Sequence, residues 1–488
     1  MSEEDVELPD LLAARRAKLE RLRAAGVEPF PHDYDGVETI ASVRDAHGDL
    51  ETGAETDVAH RVAGRIAARR DAGKAAFLDL VDRSGRIQLL VRVNELGEEA
   101  FERLVGLDIG DLIGVDGTAM KTRSSELSLR VGAFTLLAKS LRPPPDDYHG
   151  LSDIETRFRR RELDLIANAE TRELFVARAR IISAIRRSLD DDGFIELETP
   201  VLQPLYGGAS ARPFLTHHNA LDRTLYLRIA TELYLKRAIV GGLERVYELG
   251  KDFRNEGLSP KHNPEFTMVE WYEAYADYED AAARLETVVG AAAAAVAQPA
   301  VDFSAPWRRV TLADAIAQQT GIDVLTERSR EALVEAIRAR GLNVDTDERS
   351  WAGIVDELLS TYVEPTLIEP TFLLDYPVEL SPLAKAHRSK PGLVERWEAY
   401  AGGIEISNAF SELNDPDEQR ERFLELHRSA AGAEVDEAPP LDEAFLAALE
   451  QGMPPTAGVG LGIDRLVMLL SGRRTIREVV LFPAMRDG

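Results

Sequence analysis

The segment FRNEGLSPKHNPEF, Phe253 to Phe266, gathers Arg254, Glu256, Lys261, His262 and Glu265 between two phenylalanines, with two prolines and a glycine among them. A solvated loop rarely has aromatic ends, and a core strand rarely carries so much charge of both signs. Taken alone, Arg254 and Glu256 equally describe a surface ion pair worth under about 1 kcal/mol. A second segment, GVGLGIDRL, alternates Gly458, Gly460 and Gly462 along a strand pattern, with Arg465 three residues further on. Alternating glycine clears one face of a strand, so that a flat ligand could lie directly on the backbone. Arg465 would open the next helix beside that bare surface, placed to meet phosphate. The spacing is not that of a dinucleotide-type GxGxxG loop.

Elements of regular pattern must position these pieces. YLRIA, RVYELGKDF, FTMVEWYEAY, GIEISNAF and AGVGLGIDRL read as strands, several in consecutive pairs, which favours a mostly antiparallel sheet flanked by helices. The charged loop lies between RVYELGKDF and FTMVEWYEAY. A long helix over 169–193 leads into LDDDGFIELETPVLQP, where a strand is expected to run to Pro200. Residues 308–352 read as a charged helical insertion without a chemical signal. Upstream, RVAGRIAARR, AAFLDLVDRSG, RIQLLVRV, DLIGVDGTAMKT and ELSLRVGAFTLLAKS read as five short strands, with the helical NELGEEAFERLV after the third. That order suits a small oligonucleotide-binding barrel of the OB type. The layout is therefore a helical arm over 1–55, a barrel over 56–142, a proline-rich linker over 143–165, and a larger α+β domain over 166–488. In the arm, residues 10–25 have helical apolar spacing with a basic opposite face, either an ordinary surface helix or a contact for a polyanion.

The chain carries a formal charge of −27, which at first argues against nucleic acid. Averages hide patches, however: residues 61–95 hold eight Arg and Lys against four Asp and Glu, and Phe77 lies among them. A strand phenylalanine is ordinarily core; amid basic residues it also suits a stacking platform for single-stranded bases. There is no cysteine, which excludes disulfides, thiolate catalysis and Cys-ligated zinc, and the nine histidines show no HExxH spacing. No apolar run approaches a membrane span, and the acidic N-terminus lacks the regions of a signal peptide, so a cytoplasmic protein is the expectation.

Taken together, the helix–strand junction ending at Pro200, the Phe253–Phe266 loop and GVGLGIDRL resemble motifs 1, 2 and 3 of the class II aminoacyl-tRNA synthetases. GGASARPFLTHHNALD, ELYLKR, RNEGLSPKHNPEFTMVEWYEAYADYED, EPTLIEPTFLLDYPVELSPLAK, EISNAFSELNDP and GLGIDRLVMLL resemble the lysyl-tRNA synthetase subgroup, from about Arg15 to Pro483. The resemblance implies ATP-dependent activation of L-lysine and its transfer to tRNA(Lys), by a homodimer in which Pro200 reaches the neighbouring subunit. It also implies an N-terminal OB domain that binds the anticodon.

By the same resemblance, Arg254 bridges the amino-acid carboxylate and the α-phosphate. Glu256, His262 and Asn263 read the adenine and grip the triphosphate, and Phe266 underlies the adenine with Arg465 stacking from the other side. Glu405 and Gly462 complete the ATP site. Glu398 and Glu405 would hold Mg²⁺, with about three ions per site in the family, because hard carboxylate and phosphate oxygens suit that ion. Gly208 and Glu232 would hold the α-amino group of lysine, and Glu412 with Tyr272 and Asn408 its ε-ammonium. Glu270 and Phe410 belong to the same pocket. A substrate with two ammonium groups needs buried anions to meet them, and Glu412 is where an aspartate- or asparagine-specific relative would want a cation or an amide. In the barrel, Arg70, Phe77, Gln88 and Glu126 match anticodon-reading positions.

Two departures flank these residues: Thr231 replaces the family's usual proline before Glu232, and Ile404 stands where a polar residue is common. Two other activities fit part of the pattern, a ligase acting on a non-tRNA acceptor and a catalytically silent RNA-binding regulator. Truncated protein-lysylating relatives lack the OB domain and lipid-modifying ones carry membrane spans, whereas a silent relative would be expected to lose Arg254, Glu405 or Arg465.

Overall fold

The computed structural model describes residues 3–145, 151–209, 211–347, 349–430 and 441–486. By internal contacts the chain divides into two units, residues 1–169 and 170–488.

The first unit opens with helix α1 (Glu3–Ala24) and is built around a closed barrel. Its strands are β1 (Glu55–Ala72), β2 (Ala75–Val81), β3 (Arg86–Arg92), β4 (Leu112–Lys121) and β5 (Leu127–Ala138), hydrogen-bonded in the order β1-β2-β3-β5-β4. Two short helices, Val93–Leu96 and Glu98–Val105, follow β3. Strand alternation sends Ala76, Leu78 and Leu80 inward with Ile66, Ile87, Leu89, Val115 and Leu129, and leaves Phe77 and Asp79 on the outside. A register shift between Ile66 and Ala68 bends the long β1, so one strand pairs with both β2 and β4 and helps close the barrel. Part of the basic face of α1 is spent on docking. Arg15 donates to the carbonyls of Ser140 and Ile109 at 3.1 and 3.0 Å, and Lys18 pairs with Asp108.

The stretch expected to be a proline-rich linker, 143–165, contains the helix Ile154–Arg159 and most of a second, Arg161–Ala167. Among their arginines, Arg157 and Arg161 donate to buried Asp164 at 2.8 and 2.7 Å, while Arg159 and Arg160 pair with Glu155 and Glu162.

The second unit is centred on an eight-stranded sheet. In chain order its strands are β6 (Ile195–Glu196), β7 (Arg245–Phe253), β8 (Glu265–Ala274), β9 (Arg308–Thr311), β10 (Thr371–Leu374), β11 (Arg396–Ala401), β12 (Ile404–Ser411) and β13 (Thr456–Gly462). The spatial order is β9-β10-β11-β12-β13-β8-β7-β6, parallel only at the two edges and antiparallel elsewhere. Helices α2 (Ala169–Asp191), α4 (Tyr278–Ala294) and α5 (Ile463–Ser471) contribute to one core with Trp271, Trp397, Ala399, Ala409, Val459 and Leu461 of the sheet. Between α2 and α4, helix α3 (Glu232–Val240) packs Leu235 and Ile239 with Val246 and Tyr272 in a separate cluster.

Two elements differ from expectation. The strand after α2 pairs only at Ile195 and Glu196, with Val246 and Tyr247 of β7, so Pro200 lies beyond it. Residues 308–311 are not helical but form the edge strand β9, where β-branched Val310 and Thr311 pair with Leu373 and Leu374. The helices that follow bury Leu312, Ile316, Leu333, Ile337 and Ile354 in a second core, shared with Leu373 and Tyr400 of the sheet.

Candidate active site

The central strands have a strict division of labour. Odd-numbered residues of β8, β11 and β13 face the helices, while the even-numbered ones stand on the opposite face. There, Glu398, Asn408, Gly460, Glu270 and Glu248 lie in register on five adjacent strands. One pleat along, Arg396, Phe410, Gly458, Tyr272 and Val246 form a second row. Period-two alternation brings to one surface residues that are 150 positions apart in the chain (Glu248 and Glu398).

Over this surface lies a cavity of about 440 Å³. Its lining includes every residue of the second unit expected at the ATP, metal and lysine sites: Gly208, Glu232, Arg254, Glu256, His262, Asn263, Phe266, Glu270, Tyr272, Glu398, Glu405, Asn408, Phe410, Glu412, Gly462 and Arg465. Pro200 is exposed and outside it.

One end is acidic and buried. Glu232 opens α3, and Lys236, one turn on, reaches back to it at 2.5 Å. Lys236 also pairs with Glu412 and is wholly buried. Glu270 accepts from the Thr231 amide and from the Tyr272 hydroxyl, both at 3.3 Å. The Thr231 bond is one that proline could not make, so this departure adds a donor to a pocket carboxylate. The Thr231 hydroxyl itself is buried with no hydrogen-bond partner among the described residues. Burial, with Asp252 and Glu232 nearby, pushes the Glu270 carboxyl up to about 8. Burial raises Glu412 likewise, against the pull of Lys236. Gly208 faces this end at φ +85°, and a Cβ there would lie 3.1 Å from that of Ala230.

The alternating glycines do something other than bare the strand to a flat ligand. At Gly458 the missing side chain makes room for protein: a Cβ would lie 2.0 Å from Glu412 Oε1 and 2.4 Å from Tyr272 Cε1. At Gly460 the space goes to Met268, at 3.0 Å. Only at Gly462 is there ordinary clearance, with the nearest atom 3.6 Å away.

The other end is basic. The Arg254 guanidinium sits 5.1 Å from the Phe266 ring centre, and its Nε makes only a 3.4 Å bond to the Ile229 carbonyl. Among the described residues no ion pair joins it to Glu256. Arg254 thus covers one face of Phe266. Arg465 instead bonds the Glu405 carboxylate at 3.0 Å and His262 Nε2 at 3.1 Å. Burial and then Arg465 lower the His262 pKa, so the ring is neutral: Nε2 accepts from Arg465 and Nδ1–H donates to Ser259 Oγ at 2.7 Å. Asn263 is committed to backbone, donating to the Glu265 carbonyl and accepting from the Ala484 amide. Lys261, paired with Glu364 at 3.1 Å, adds a cation to the lining.

Glu398 and Glu405 approach the same cavity from neighbouring strands. Glu398 Oε2 accepts from Tyr376 and Tyr400, and Oε1 from Arg396 at 2.5 Å, leaving one lone pair on Oε1. Glu405 uses Oε2 for Arg465. Among the described residues no cluster of three or more His, Cys, Asp or Glu could hold a metal ion. This donor set fits Mg²⁺ shared with ligand phosphates, and not a cation caged by protein alone.

Arg396, Lys236 and Lys261 escaped the sequence reading as site residues. Arg396 and Glu398 share a strand face two residues apart, a spacing that could have drawn notice. Lys236 sits one helical turn from Glu232, but its second partner, Glu412, is visible only in the fold. Ile404, the other departure, packs against the main core.

In the first unit the four barrel residues lie on one outer face. Arg70 is the register partner of Phe77, Gln88 that of Asp79, and Glu126 lies two residues before Ser128, whose hydroxyl donates to Gln88 at 3.0 Å. No described helix is long and apolar enough to cross a membrane.

Comparison with known proteins accounts for both units. Residues 153–486 match the model of the class II tRNA synthetases (D, K and N), and residues 60–137 match that of the OB-fold nucleic acid binding domain. The chain belongs to the class II tRNA synthetases. Among its curated relatives, a Roseiflexus castenholzii protein named lysine--tRNA ligase is 52% identical over 99% of both chains. Proteins of the same name from Chloroflexus aurantiacus and Dehalococcoides mccartyi are 51% and 49% identical, over at least 97% of each chain.

Proposed function

We infer that this chain is a lysine–tRNA ligase, which uses ATP to activate L-lysine and passes it to tRNA(Lys). The observation that carries this reading is the polarity of the cavity: Glu232, Glu270 and Glu412 converge at one end, and Arg254 and Arg465 line the other. Lysine brings two ammonium groups to the acidic end and turns its carboxylate toward Arg254. There the planar guanidinium can hold the carboxylate against the ATP α-phosphate. In-line attack of that carboxylate oxygen on the α-phosphorus forms the lysyl-adenylate and expels pyrophosphate. Attack of the tRNA terminal hydroxyl on the activated carbonyl then releases AMP. No side-chain nucleophile is required; the protein positions the reactants and neutralises charge. Glu256, His262, Asn263 and Phe266 would shape the nucleotide end, with His262 contributing hydrogen bonds rather than charge. Glu398 and Glu405 would hold Mg²⁺, which when bound offsets the negative charge of the phosphates.

ATP–pyrophosphate exchange, run with each proteinogenic amino acid in turn, tests the assignment. Exchange supported best by lysine is expected; a preference for any other amino acid would sink it.

The raised carboxyls set the sign of a pH effect. In the free pocket Glu270 and Glu412 hold protons below about 8, and a cationic ligand favours their ionised forms. Lysine binding at pH 7 is therefore expected to release protons, and affinity to rise as pH climbs from 6 towards 8. Calorimetric titration in buffers of different ionisation heat measures the proton count; zero release, or uptake, contradicts the pocket assignment.

Arg70, Phe77, Gln88 and Glu126 would read the anticodon, Phe77 by stacking the central base. The local basic character of residues 61–95 supports this despite the acidic total. Phe77→Ala is expected to weaken tRNA charging about tenfold or more while sparing lysine activation, since base stacking is worth about 1–3 kcal/mol. Equal loss in charging and exchange assays would count against it. Homodimerisation is supported by the apolar surface following Pro200, where Val201, Leu202 and Leu205 are exposed. Cytoplasmic residence accords with the tRNA substrate.

A further inference from the structure

We propose that Lys236 is a positioning residue for lysine recognition, an internal cation that neutralises the one pocket carboxylate the substrate leaves unmatched. The inference rests on the assignment of Glu232, Glu270 and Glu412 to the lysine pocket, and it deepens that assignment.

Three carboxylates close the acidic end, all buried, and lysine supplies two ammonium groups. A third anion without a counter-charge would either hold a proton or weaken the site. Lys236 lies outside the cavity lining, beneath Glu232 and Glu412, and touches both. With lysine bound, each carboxylate then has one cation, and Arg254 meets the substrate carboxylate. Glu248 and Asp252, on the same sheet face, share a different cation, Arg228.

Lys236 also fixes where the carboxylates stand. Glu232 comes from the start of α3 and Glu412 from the chain just past β12, so nothing local holds them together. A single Nζ bridging them ties helix to sheet. Glu412 Oε2 faces Lys236, but Oε1 is buried with no hydrogen-bond donor among the described residues. Buried acceptors at a cavity wall are what an incoming ammonium group would satisfy. The chain writes arginine at most of its basic positions and has only nine lysines. A compact ammonium fits between two carboxylates where a broad guanidinium fork would not.

Exchange kinetics of Lys236→Met and of Lys236→Met/Glu270→Gln test the proposal. The single variant is expected to raise the KM for lysine about tenfold or more, with the KM for ATP within about twofold, since an unmatched carboxylate is then left in the pocket. Adding Glu270→Gln restores the match between carboxylates and ammonium groups, and is expected to recover at least about threefold of that loss. A residue that merely fills space predicts no recovery, because the second change adds a defect. An unchanged lysine KM, equal shifts in the lysine and ATP KM, or no recovery in the double variant would each overturn the proposal. If the single variant does not fold, the double variant decides. It should fold and bind lysine within about tenfold of the unaltered protein; failure of either overturns the proposal. The unaltered protein is the control for the underlying assignment: if its own exchange is not lysine-dependent, the pocket assignment fails, whatever the variants do.

Discussion

Arg254→Ala is expected to lower lysine-dependent ATP–pyrophosphate exchange by about 10³-fold, as removal of a preorganised charge at the reacting centre commonly does. The rest of the protein should barely register the change. Arg254 has no carboxylate partner among the described residues, contacts the Phe266 ring, and makes one long backbone bond. A melting temperature near that of the unaltered protein should therefore accompany the loss. Arg254→Lys keeps the charge but not the planar fork, and should recover only part of the rate. The measurement is exchange at saturating lysine and ATP, beside a thermal melt. Activity of Arg254→Ala within about tenfold of the unaltered enzyme would show that the charge at this position does not act on the reacting centre.

Gly458→Ala is the second large effect, and it acts at the opposite end. A Cβ there would fall 2.0 Å from a Glu412 oxygen and 2.4 Å from the Tyr272 ring. The backbone cannot retreat, because Gly458 is held in register between Phe410 and Tyr272 on the flanking strands. Both side chains must therefore move, and they are the ones proposed to meet the ε-ammonium. The lysine KM should rise about a hundredfold while the ATP KM holds, and overpacking should cost about 1–3 kcal/mol of stability. Initial rates with each substrate varied in turn, together with denaturant unfolding, check both halves. A lysine KM within about threefold of normal would mean that Glu412 and Tyr272 can shift without loss, and so do not set the site.

Much of this site can be read from the linear chain. Strand alternation, the charged loop with aromatic ends and the glycine-rich strand were visible, and so was the order of barrel strands with a helix after the third. The reading strayed where local pattern is silent about partners. The strand after α2 is short, pairing with β7 only at Val246 and Tyr247. The Arg308–Thr311 segment is a strand because it finds an edge at β10, although the sequence after it is helical. Of the arginines beside the proline-rich segment, Arg157 and Arg161 are spent on a buried aspartate.

What the sequence by itself determined is the set of side chains and the local geometry that presents them: which residues of each strand share a face, where loops turn, and which residue types are available for chemistry. These follow from short-range sterics and periodicity, which act within a few residues. The tertiary structure alone decided how those faces meet. It sets Glu398, Asn408, Gly460 and Glu270 in one row, gives the space beside Gly458 to Glu412 and Tyr272, lays Arg254 across Phe266, and slips Lys236 between two acids. Register between distant strands is a property of the packed sheet, where each pairing is chosen against every other, and no single segment carries it.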